Sequence, residues 1–311
     1  MKNKLSTKHF IGLEHASSND INLIINTALT FREILDRPIK KVPSLKGLNI
    51  VNLFFENSTR TKLSFELAEK RLSADVLNFS ASSSSLNKGE SLRDTVQNIQ
   101  AMKIDCAVMR HPVPGSCKQL TEYLDCPIVN AGDGTHEHPT QAMLDITSIY
   151  EKFGKIKDLK IVIVGDILHS RVAMSNIFGL KTMGAEVMLC GPPHLMPKYI
   201  SDFGVKVSHN IDEALEWGDV INILRIQRER MGIGLVPSVR EYRDLFGVTK
   251  ERIKNLDKEI TIMHPGPINR GVEIDSYVAD SDQSIILNQV LNGVAVRMSI
   301  LYLLLGANDE K

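Results

Sequence analysis

The chain has 311 residues, in which 37 lysines and arginines balance 37 aspartates and glutamates, so its formal net charge is zero. This length is enough for two domains with separate cores. The lack of a basic excess argues against a nucleic-acid-binding protein. No apolar run approaches the ~18–20 residues of a membrane span, and the N-terminal stretch lacks the apolar core of a signal peptide. We therefore expect a cytoplasmic protein without nucleic-acid or membrane partners.

The cysteines show no C-x-x-C spacing, which argues against a zinc site or a redox pair. We expect reduced thiols that fill the core. No metal and no cofactor are predicted. The four residues are Cys106, Cys117, Cys126 and Cys190.

The first predicted helix begins at Asn19 or Asp20, since either side chain can cap it, and carries an apolar stripe at helical spacing. Pro38 and Pro43 then interrupt the chain before the first strand.

An apolar run of strand length, residues 50–55, leads into the polar segment Ser58, Thr59, Arg60 and Thr61. Such a run is typical of a parallel strand covered on both faces. Helically spaced apolar residues follow, so the polar segment opens a helix. A helix start carries unpaired N–H groups and partial positive charge, which attract anions. The segment predicts a phosphate cradle, although an ordinary capped helix start explains the same residues equally well.

A short strand at 75–79 and a serine-rich loop at 80–91 come next, and Lys88 is the loop's cation of interest. A solvated linker explains the serines on their own. A helix at 92–102 then leads to a strand that delivers Arg110 at its carboxyl end. Ligands of open α/β sheets bind at the carboxyl ends of the strands, so Arg110 is a candidate binding residue.

The next predicted strand, residues 127–130, precedes a helix that starts at Pro139, because proline suits the first helical position. His138 then lies at the cap and Gln141 in the first turn. A single histidine at this position is more often a simple cap. In combination with Gln141 and Arg110, it favours a binding site.

A polar link at 152–158 marks the predicted domain boundary. The strand at 160–164 that follows ends in Gly165-Asp166 and leads to a helix with Arg171 in its first turn. This arrangement suggests a dinucleotide-binding fold, but Ile167 and Ser170 occupy the later glycine positions of the G-x-G-x-x-G fingerprint. We therefore predict a Rossmann-like unit without a pyrophosphate loop.

Strands and helices continue to alternate, which predicts a parallel sheet with right-handed crossovers. Arg225 lies at the end of the last strand of this series, and residues 227–238 are interpreted as a mobile loop over the site. The predicted elements are strand 186–190, helix 194–203, strand 205–208, helix 212–217 and strand 220–225.

A further strand at 260–263 leads to Gly266-Pro267, a rigid turn whose backbone carbonyls are predicted to face a ligand. The apolar stripe of the final helix, 287–301, needs a partner, which the first domain supplies. The sequence thus predicts an α/β protein with two doubly wound domains, each a mostly parallel sheet with helices on both faces. The predicted boundaries are 1–151, 152–285 and, for the returning C-terminal helix, 286–311.

Seven segments in one order make the chain similar to the transcarbamoylase family over essentially its whole length, and most similar to the branch that uses L-aspartate. They are FFENSTRTKLSFE, NKGESLRDT, Arg110-His111-Pro112, HEHPTQAMLD, GDILHSRVAMS, LRIQRER and HPGPINRGVEI. The family joins the carbamoyl group of carbamoyl phosphate to an amine and releases phosphate. The resemblance implies that this chain makes N-carbamoyl-L-aspartate, a step of pyrimidine biosynthesis.

The resemblance also implies residue roles. The carbamoyl phosphate site comprises Ser58, Thr59, Arg60, Thr61, Arg110, His138, Gln141, Gly266 and Pro267. Within this set, Arg60, Thr61, Arg110 and His138 would be catalytic. L-Aspartate would be bound by Lys88, Arg171 and Arg225. No protein base is assigned, because the family's usual candidate is the substrate phosphate.

In this family Ser84 and Lys88 reach the active site of a neighbouring subunit, so the resemblance implies a homotrimer with shared sites, to which regulatory chains can be added. It also implies domain closure over both substrates.

The main alternative is a transcarbamoylase acting on ornithine or an acylated ornithine. Those members resemble one another in a His-Cys-Leu-Pro motif, where this chain has His264-Pro265-Gly266-Pro267. A nucleotide-binding oxidoreductase conflicts with the missing glycine fingerprint. An inactive paralogue conflicts with the presence of Arg60, Arg110 and His138.

Overall fold

The protein is described here from a computed structural model, which covers residues 4–80, 91–226 and 238–306. Two compact units make up the chain, the first formed by Met1–Thr147 with Leu291–Lys311 and the second by Ser148–Val290. The first boundary predicted from sequence, after residue 151, lies four residues later than the observed boundary after Thr147. The second, after residue 285, lies five residues earlier than the observed boundary after Val290.

The first unit is built on a four-stranded sheet in the order β2-β1-β3-β4, in which all pairs are parallel. Its strands are β1 (Asn49–Phe54), β2 (Asp75–Ser80), β3 (Cys106–His111) and β4 (Ile128–Asp133). Its helices are α1 (Ser18–Leu35), α2 (Thr59–Arg71), α3 (Leu92–Ala101), α4 (Ser116–Leu120) and the beginning of α5 (Pro139–Phe153).

The second unit has a five-stranded parallel sheet in the order β7-β6-β5-β8-β9. The strands are β5 (Lys160–Val164), β6 (Glu186–Cys190), β7 (Lys206–Ser208), β8 (Val220–Ile223) and β9 (Thr261–Met263). The helices are α6 (Arg171–Thr182), α7 (Ile211–Trp217), α8 (Val239–Phe246), α9 (Lys250–Lys254) and α10 (Ser276–Ala279). The predicted α/β class with two parallel sheets is confirmed.

Each sheet changes its direction of winding at one point. In the first unit the chain moves outward from β1 to β2 and then returns to the other side of β1 with β3, so the change lies between β1 and β3. In the second unit it lies between β5 and β8. Ligands of open parallel sheets bind beyond the strand ends at such points. The loops that follow β1, β3, β5 and β8 are therefore the places to look for a site.

The last helix, α11 (Ile286–Leu305), begins in the second unit and runs into the first. Ser299 Oγ donates to the Ile24 carbonyl at 2.9 Å, and the Tyr302 ring meets Phe31 edge-on with centroids 5.7 Å apart. The predicted return of this helix to the first domain is confirmed. The length of α11 and its mean hydropathy of 1.3 would also fit a membrane span. However, 72% of its apolar stretch is buried inside the protein, as in the core helix of a globular domain.

Two local predictions are wrong. Helix α1 starts earlier than expected, because Ser17 is its cap and accepts from the Asp20 backbone N–H at 3.1 Å. The expected helix at 194–203 is instead two short 3₁₀ helices, Pro193–Leu195 and Ile200–Phe203. Pro197 lies between them, and proline lacks the N–H that a continuous helix requires.

The core of the first unit contains a buried carboxyl group, that of Glu69 on α2. Its side chain is fully buried and accepts one hydrogen bond, from Asn52 Nδ2 of β1 at 2.8 Å, while its other oxygen has no partner. Burial raises the pKa of Glu69 to about 8, because one hydrogen bond does not replace the lost hydration of the charged form. The group is therefore largely protonated at neutral pH.

We expect Glu69→Gln to flatten the dependence of stability on pH. The folded state binds a proton between the ordinary pKa of 4.5 and the raised value of about 8, so the free energy of unfolding falls as pH rises through this window. The slope is at most about 1.4 kcal/mol per pH unit. Denaturant unfolding at several pH values measures it.

Glu66→Gln on the same helix is the matched control. The hydrogen bond from Lys70 at 2.6 Å lowers the pKa of Glu66, so this pair stabilises the fold above the ordinary glutamate pKa, and its loss changes the pH dependence in the opposite direction. An unchanged slope in Glu69→Gln would show that Glu69 does not titrate in this window.

Candidate active site

Arg110 occupies the point where the first sheet changes its direction of winding. It pairs with Phe54 in the register of β1 and β3, and the register between β3 and β4 shifts at this residue. Such an irregularity re-aims a side chain. The guanidinium donates to Glu56 Oε1 from Nε at 2.7 Å and also from NH2 at 2.6 Å. Its NH1 donates to Thr61 Oγ1 and to the Ala131 carbonyl, each at 3.3 Å.

These contacts confine a cation beside the start of α2. The Arg110 side chain is only 12% exposed and that of Glu56 only 19%, so the pair is weakly screened by solvent. The Arg110 guanidinium and the Thr61 hydroxyl carry donors suited to a phosphate or carboxylate ligand, which would replace Glu56 on the guanidinium fork. Arg110 and Thr61, predicted separately from sequence, therefore lie in direct contact.

The start of α2 is arranged to accept an anion. Ser58 is the N-cap residue, but its side chain makes no capping hydrogen bond, and the first turn contains no acidic residue. Thr59 and Arg60 are exposed and Thr61 is buried. Because first-turn N–H groups have no acceptor within their own helix, an anion placed here can receive them together with the hydroxyls. The predicted cap position is observed, without the side-chain cap of an ordinary helix start.

His138 and Gln141 lie at the start of α5, as their spacing predicted. The His138 carbonyl accepts from the backbone N–H of Gln141 at 3.0 Å, and the imidazole is 5% exposed with Nδ1 3.5 Å from Thr140 Oγ1. Gln141 donates from Nε2 to Asp145 Oδ1 at 3.0 Å. A carboxylate can only accept hydrogen bonds, so this contact shows that the Gln141 NH2 group points at Asp145. The Gln141 side-chain carbonyl oxygen is then left to accept a hydrogen bond from an NH2 group of a ligand.

Asp133 holds the loop that carries His138, a role that sequence did not suggest. Its buried carboxylate accepts from the Gly115 N–H at 2.7 Å and from Asn130 Nδ2 at 2.7 Å, and it lies 3.1 Å from His136 Nδ1. The hydrogen bond to Asp133 raises the pKa of His136. Four residues on, buried Glu137 accepts from the Leu13 N–H at 2.8 Å. The two carboxylates fix both ends of the loop.

His111, the neighbour of Arg110 in the sequence motif, has a structural position. Its Nδ1 accepts from the Val113 N–H at 3.1 Å and lies 2.8 Å from Ser116 Oγ, and its ring meets Phe55 with centroids 5.1 Å apart. Burial lowers its pKa, so the neutral imidazole that these contacts need is favoured at neutral pH. His111 therefore shapes the turn from β3 into α4.

The second unit places arginines beyond its own strand ends. Arg171 begins α6 and is 4% exposed, behind the cap formed by Ser170 Oγ, which accepts from the Ala173 N–H at 3.2 Å. In the preceding turn, Asp166 accepts from His169 Nδ1 at 2.9 Å. Arg225 lies two residues after β8 and is half-buried; the strand was expected to reach it but ends at Ile223. These arginines flank the change of winding between β5 and β8.

The Gly266-Pro267 turn after β9 is held from behind by His264. His264 Nδ1 accepts from the Gly266 N–H at 2.8 Å, so Nε2 carries the ring proton and donates to Glu273 Oε1 at 3.3 Å. Glu273 Oε1 also accepts from the Asn269 N–H at 2.6 Å. Gly266 has φ +68°, which glycine adopts without strain, and the bond to Pro267 is cis. His264 and Glu273 therefore hold the backbone on both sides of the turn, at Gly266 and at Asn269.

Two of the candidate residues, Ser84 and Lys88, and residues 227–237 of the predicted loop lie outside the described parts of the chain. The other candidates are found at the strand ends of the unit to which they belong. In the first unit these are Ser58, Thr59, Arg60, Thr61, Arg110, His138 and Gln141; in the second they are Arg171, Arg225, Gly266 and Pro267.

Residues 8–151 match the family described as "Aspartate/ornithine carbamoyltransferase, carbamoyl-P binding domain", and residues 157–304 match "Aspartate/ornithine carbamoyltransferase, Asp/Orn binding domain". The two matches span almost the whole chain, so it belongs to the aspartate/ornithine carbamoyltransferase family. The transcarbamoylase resemblance predicted from sequence is confirmed.

Among its relatives, the aspartate carbamoyltransferase catalytic subunit of Christiangramia forsetii is 62% identical over 304 residues, which cover 98% of each chain. That of Cytophaga hutchinsonii is 60% identical and covers 97% of this chain and 99% of its own length.

Solved structures of aspartate transcarbamoylases have the same fold as this chain. Aspartate transcarbamoylase from Trypanosoma cruzi in complex with N-(phosphonacetyl)-L-aspartic acid superposes with a TM-score of 0.87 at 30% identity, covering 97% of both chains. The catalytic subunit of the M. jannaschii enzyme gives a TM-score of 0.84 at 35% identity, covering 98% and 100%.

Proposed function

We propose that this chain transfers the carbamoyl group of carbamoyl phosphate to the amine of L-aspartate, giving N-carbamoyl-L-aspartate and phosphate, a step of pyrimidine biosynthesis. The observation that carries the proposal is the contact of Arg110 with Thr61 at the uncapped start of α2. It places a guanidinium and a hydroxyl beside first-turn N–H groups, in a chain whose full-length relatives carry the aspartate carbamoyltransferase name.

Carbamoyl phosphate would bind in the first unit with its phosphate at the start of α2. Ser58, Thr59, Arg60 and Thr61 supply the donors there, and a phosphate at a helix N-terminus is favoured by the aligned peptide dipoles. The Gln141 carbonyl oxygen, left available by the bond from its amide to Asp145, would accept from the carbamoyl NH2. The carbonyls of Gly266 and Pro267 would take the remaining hydrogen.

Catalysis would rest on charge stabilisation at the carbamoyl carbonyl. Arg110, Thr61 and His138 would donate to its oxygen, which becomes negative as the neutral amine forms the new C–N bond. The C–O bond to phosphate then breaks, and phosphate leaves with the electron pair and accepts the proton of the amine. No covalent enzyme intermediate is required, because carbamoyl phosphate is already activated, and the protein's share is to orient the two reactants.

L-Aspartate would be bound by arginines of the second unit, Arg171 and Arg225, with Lys88 as a third cation. The two substrates bring about four negative charges, and each charge-assisted hydrogen bond contributes roughly 1.5–3 kcal/mol. Arginine suits this role because its planar fork matches a carboxylate with two parallel hydrogen bonds. A dicarboxylate therefore fits this set of cations better than ornithine, which carries one carboxylate and a second amine.

Phosphate release with different amine acceptors tests the reaction. We expect release from carbamoyl phosphate with L-aspartate and not with L-ornithine or N-acetyl-ornithine, together with formation of carbamoyl aspartate detected by mass spectrometry. Release with an ornithine acceptor only would overturn the assignment of the second substrate. Release with no acceptor, while carbamoyl phosphate still binds, would overturn the proposed reaction.

Single arginine substitutions in the two units should separate the two substrates. Arg60→Ala removes a phosphate donor, so we expect the dissociation constant of carbamoyl phosphate to rise at least about tenfold. Arg225→Ala should instead raise the aspartate KM while carbamoyl phosphate binds as before. Each variant serves as the control of the other. Unchanged carbamoyl phosphate affinity in Arg60→Ala, or normal aspartate saturation in Arg225→Ala, would remove that residue from its site.

We also propose a homotrimer in which Ser84 and Lys88 complete a neighbouring subunit's site. Exposed leucines support a subunit interface on the first unit. Leu63 and Leu67 lie one turn apart on α2, 60% and 40% exposed, and Leu77 on the edge strand β2 is 44% exposed. Large apolar side chains left exposed in this way are what a subunit interface would bury. Regulatory chains would be additional partners, and four cysteines that form no disulfide among the described residues support a cytoplasmic location.

Light scattering coupled to size exclusion measures the assembly. We expect a mass of three chains, and we expect Leu63→Asp to shift it toward the monomer, because a buried carboxylate without a partner is costly at an interface. Leu245→Asp, at an exposed leucine of α8 in the second unit, is the control. A monomeric parent protein with full activity would contradict the shared-site proposal.

A further inference from the structure

Arg297 on α11 is a buried cation that has no part in the roles proposed above. The residue is 3% exposed. Its NH1 donates to Ser64 Oγ at 3.0 Å and to the Gly293 carbonyl at 2.8 Å, and the guanidinium carbon lies 5.0 Å from the centroid of the Phe65 ring. Two of its partners, Ser64 and Phe65, belong to α2, the helix whose start forms the predicted phosphate cradle.

The charge of this guanidinium is poorly compensated. Its Nε is buried without a hydrogen-bond partner. Arg110 repels it and Asp145 attracts it. Burial and the repulsion by Arg110 lower its pKa to about 10, so it remains charged at neutral pH. Burying a charge without a partner is costly, and apolar replacements of buried charges are often neutral or stabilising. Stability alone does not account for an arginine here.

The neighbouring residues connect Arg297 to the carbamoyl phosphate site on one side. Thr61, Ser64 and Phe65 are spaced i, i+3 and i+4, so they share one face of α2. Arg110 contacts Thr61 and Arg297 contacts Ser64. The two guanidiniums therefore contact α2 at points about one helical turn apart, and one turn corresponds to about 5.4 Å along the helix axis. The positive charge of Arg297 thus stands directly behind the place where an anion would bind.

On the other side, Asp145 connects Arg297 to Gln141. Asp145 is fully buried, attracts Arg297, and accepts from Gln141 Nε2 at 3.0 Å. The same carboxylate therefore attracts Arg297 and fixes the Gln141 amide, so the two side chains are coupled through Asp145.

We infer that Arg297 is a positioning residue of the carbamoyl phosphate site, which strengthens anion binding at the start of α2 through its charge and keeps Gln141 oriented through Asp145. This inference rests on the proposed function. Arg297 does not touch the substrate in this arrangement; it acts through Ser64 and Asp145 and through the electric field. A charge in a poorly hydrated interior is felt over one helical turn far more strongly than it would be in water.

Three variants test the inference: Arg297→Met, Arg297→Lys and the control Ser299→Ala. Methionine has a similar volume and no charge. Ser299 lies two residues further along α11 and is fully buried, but it bonds to Ile24 and not to α2. Inorganic phosphate and carbamoyl phosphate are the probes. Their dissociation constants are measured by calorimetry on the intact protein, and thermal unfolding checks that each variant folds.

We expect Arg297→Met to weaken phosphate binding at least about tenfold at pH 7, and Ser299→Ala to leave it unchanged. The charged groups facing position 297 are Arg110 from β3 and Asp145 from α5; Ser64 and Phe65 of α2 do not titrate. A lysine buried here has its pKa lowered by the same burial and the same repulsion. Relative to the parent protein at each pH, Arg297→Lys should bind like the parent at pH 6.5 and like Arg297→Met at pH 9.5.

A folded Arg297→Met variant with parental phosphate affinity would overturn the inference, as would an Arg297→Lys variant equally impaired at both pH values. If Arg297→Met does not fold, the lysine variant alone decides through its pH dependence. Failure of the proposed function looks different: the parent protein itself would bind phosphate without turning over carbamoyl phosphate and L-aspartate.

Discussion

Positive charge gathered at the amino end of α2 is the physical feature on which the first unit depends. Three sources add there: the N–H groups of the helix start, Arg110 from β3 and, one turn behind, Arg297 from α11. Glu56 occupies the Arg110 fork with contacts of 2.6–2.7 Å. In the proposed carbamoyl phosphate site, a dianion would compete with this single carboxylate for the same donors, and the positive charge behind them would favour the dianion.

The parallel topology explains why both units place their cations at strand ends, and the turn chemistry explains why they suit different anions. After β1, a hydroxyl-rich segment opens a helix without an acidic first turn, which suits phosphate. After β5, the buried carboxylate of Asp166 occupies the turn and is bonded to His169. A pyrophosphate would meet a negative charge in that place. The second unit instead places arginine side chains at its strand ends, and their planar forks suit carboxylates.

Sequence patterns predicted what local chemistry determines. Apolar patterns located the nine strands of the described residues to within a few positions. Proline chemistry located the start of α5 at Pro139, which placed His138 and Gln141 at the beginning of that helix. The same reasoning failed where an apolar pattern typical of a helix was interrupted by a proline. Pro197 divided an apparently amphipathic segment into two 3₁₀ turns. The short helices α4, α9 and α10 were missed, because four or five residues carry too little periodicity to detect.

Contacts between distant residues were beyond that logic. The bond between Arg110 and Glu56 joins residues 54 positions apart, and that between Arg297 and Ser64 joins residues 233 positions apart. Asp133 looked like one acidic residue of a polar turn, yet it holds Gly115, Asn130 and His136. Nothing in the local sequence distinguishes such a residue from a solvated one. Only the fold shows which polar side chains are buried, and burial is what makes their hydrogen bonds specific.

Glu69 on α2 and Arg297 packed against α2 are both buried, and they show how the type of side chain decides whether a buried group keeps its charge. Glu69 is protonated at neutral pH because its raised pKa of about 8 lets the carboxyl discard its charge. Arg297 experiences a comparable loss of hydration, yet its pKa falls only to about 10, so it keeps its charge. A lysine starts about two units lower and would lose part of its charge within the range where cells operate. A guanidinium is therefore the side chain that can hold a constant positive charge in the buried position behind the start of α2.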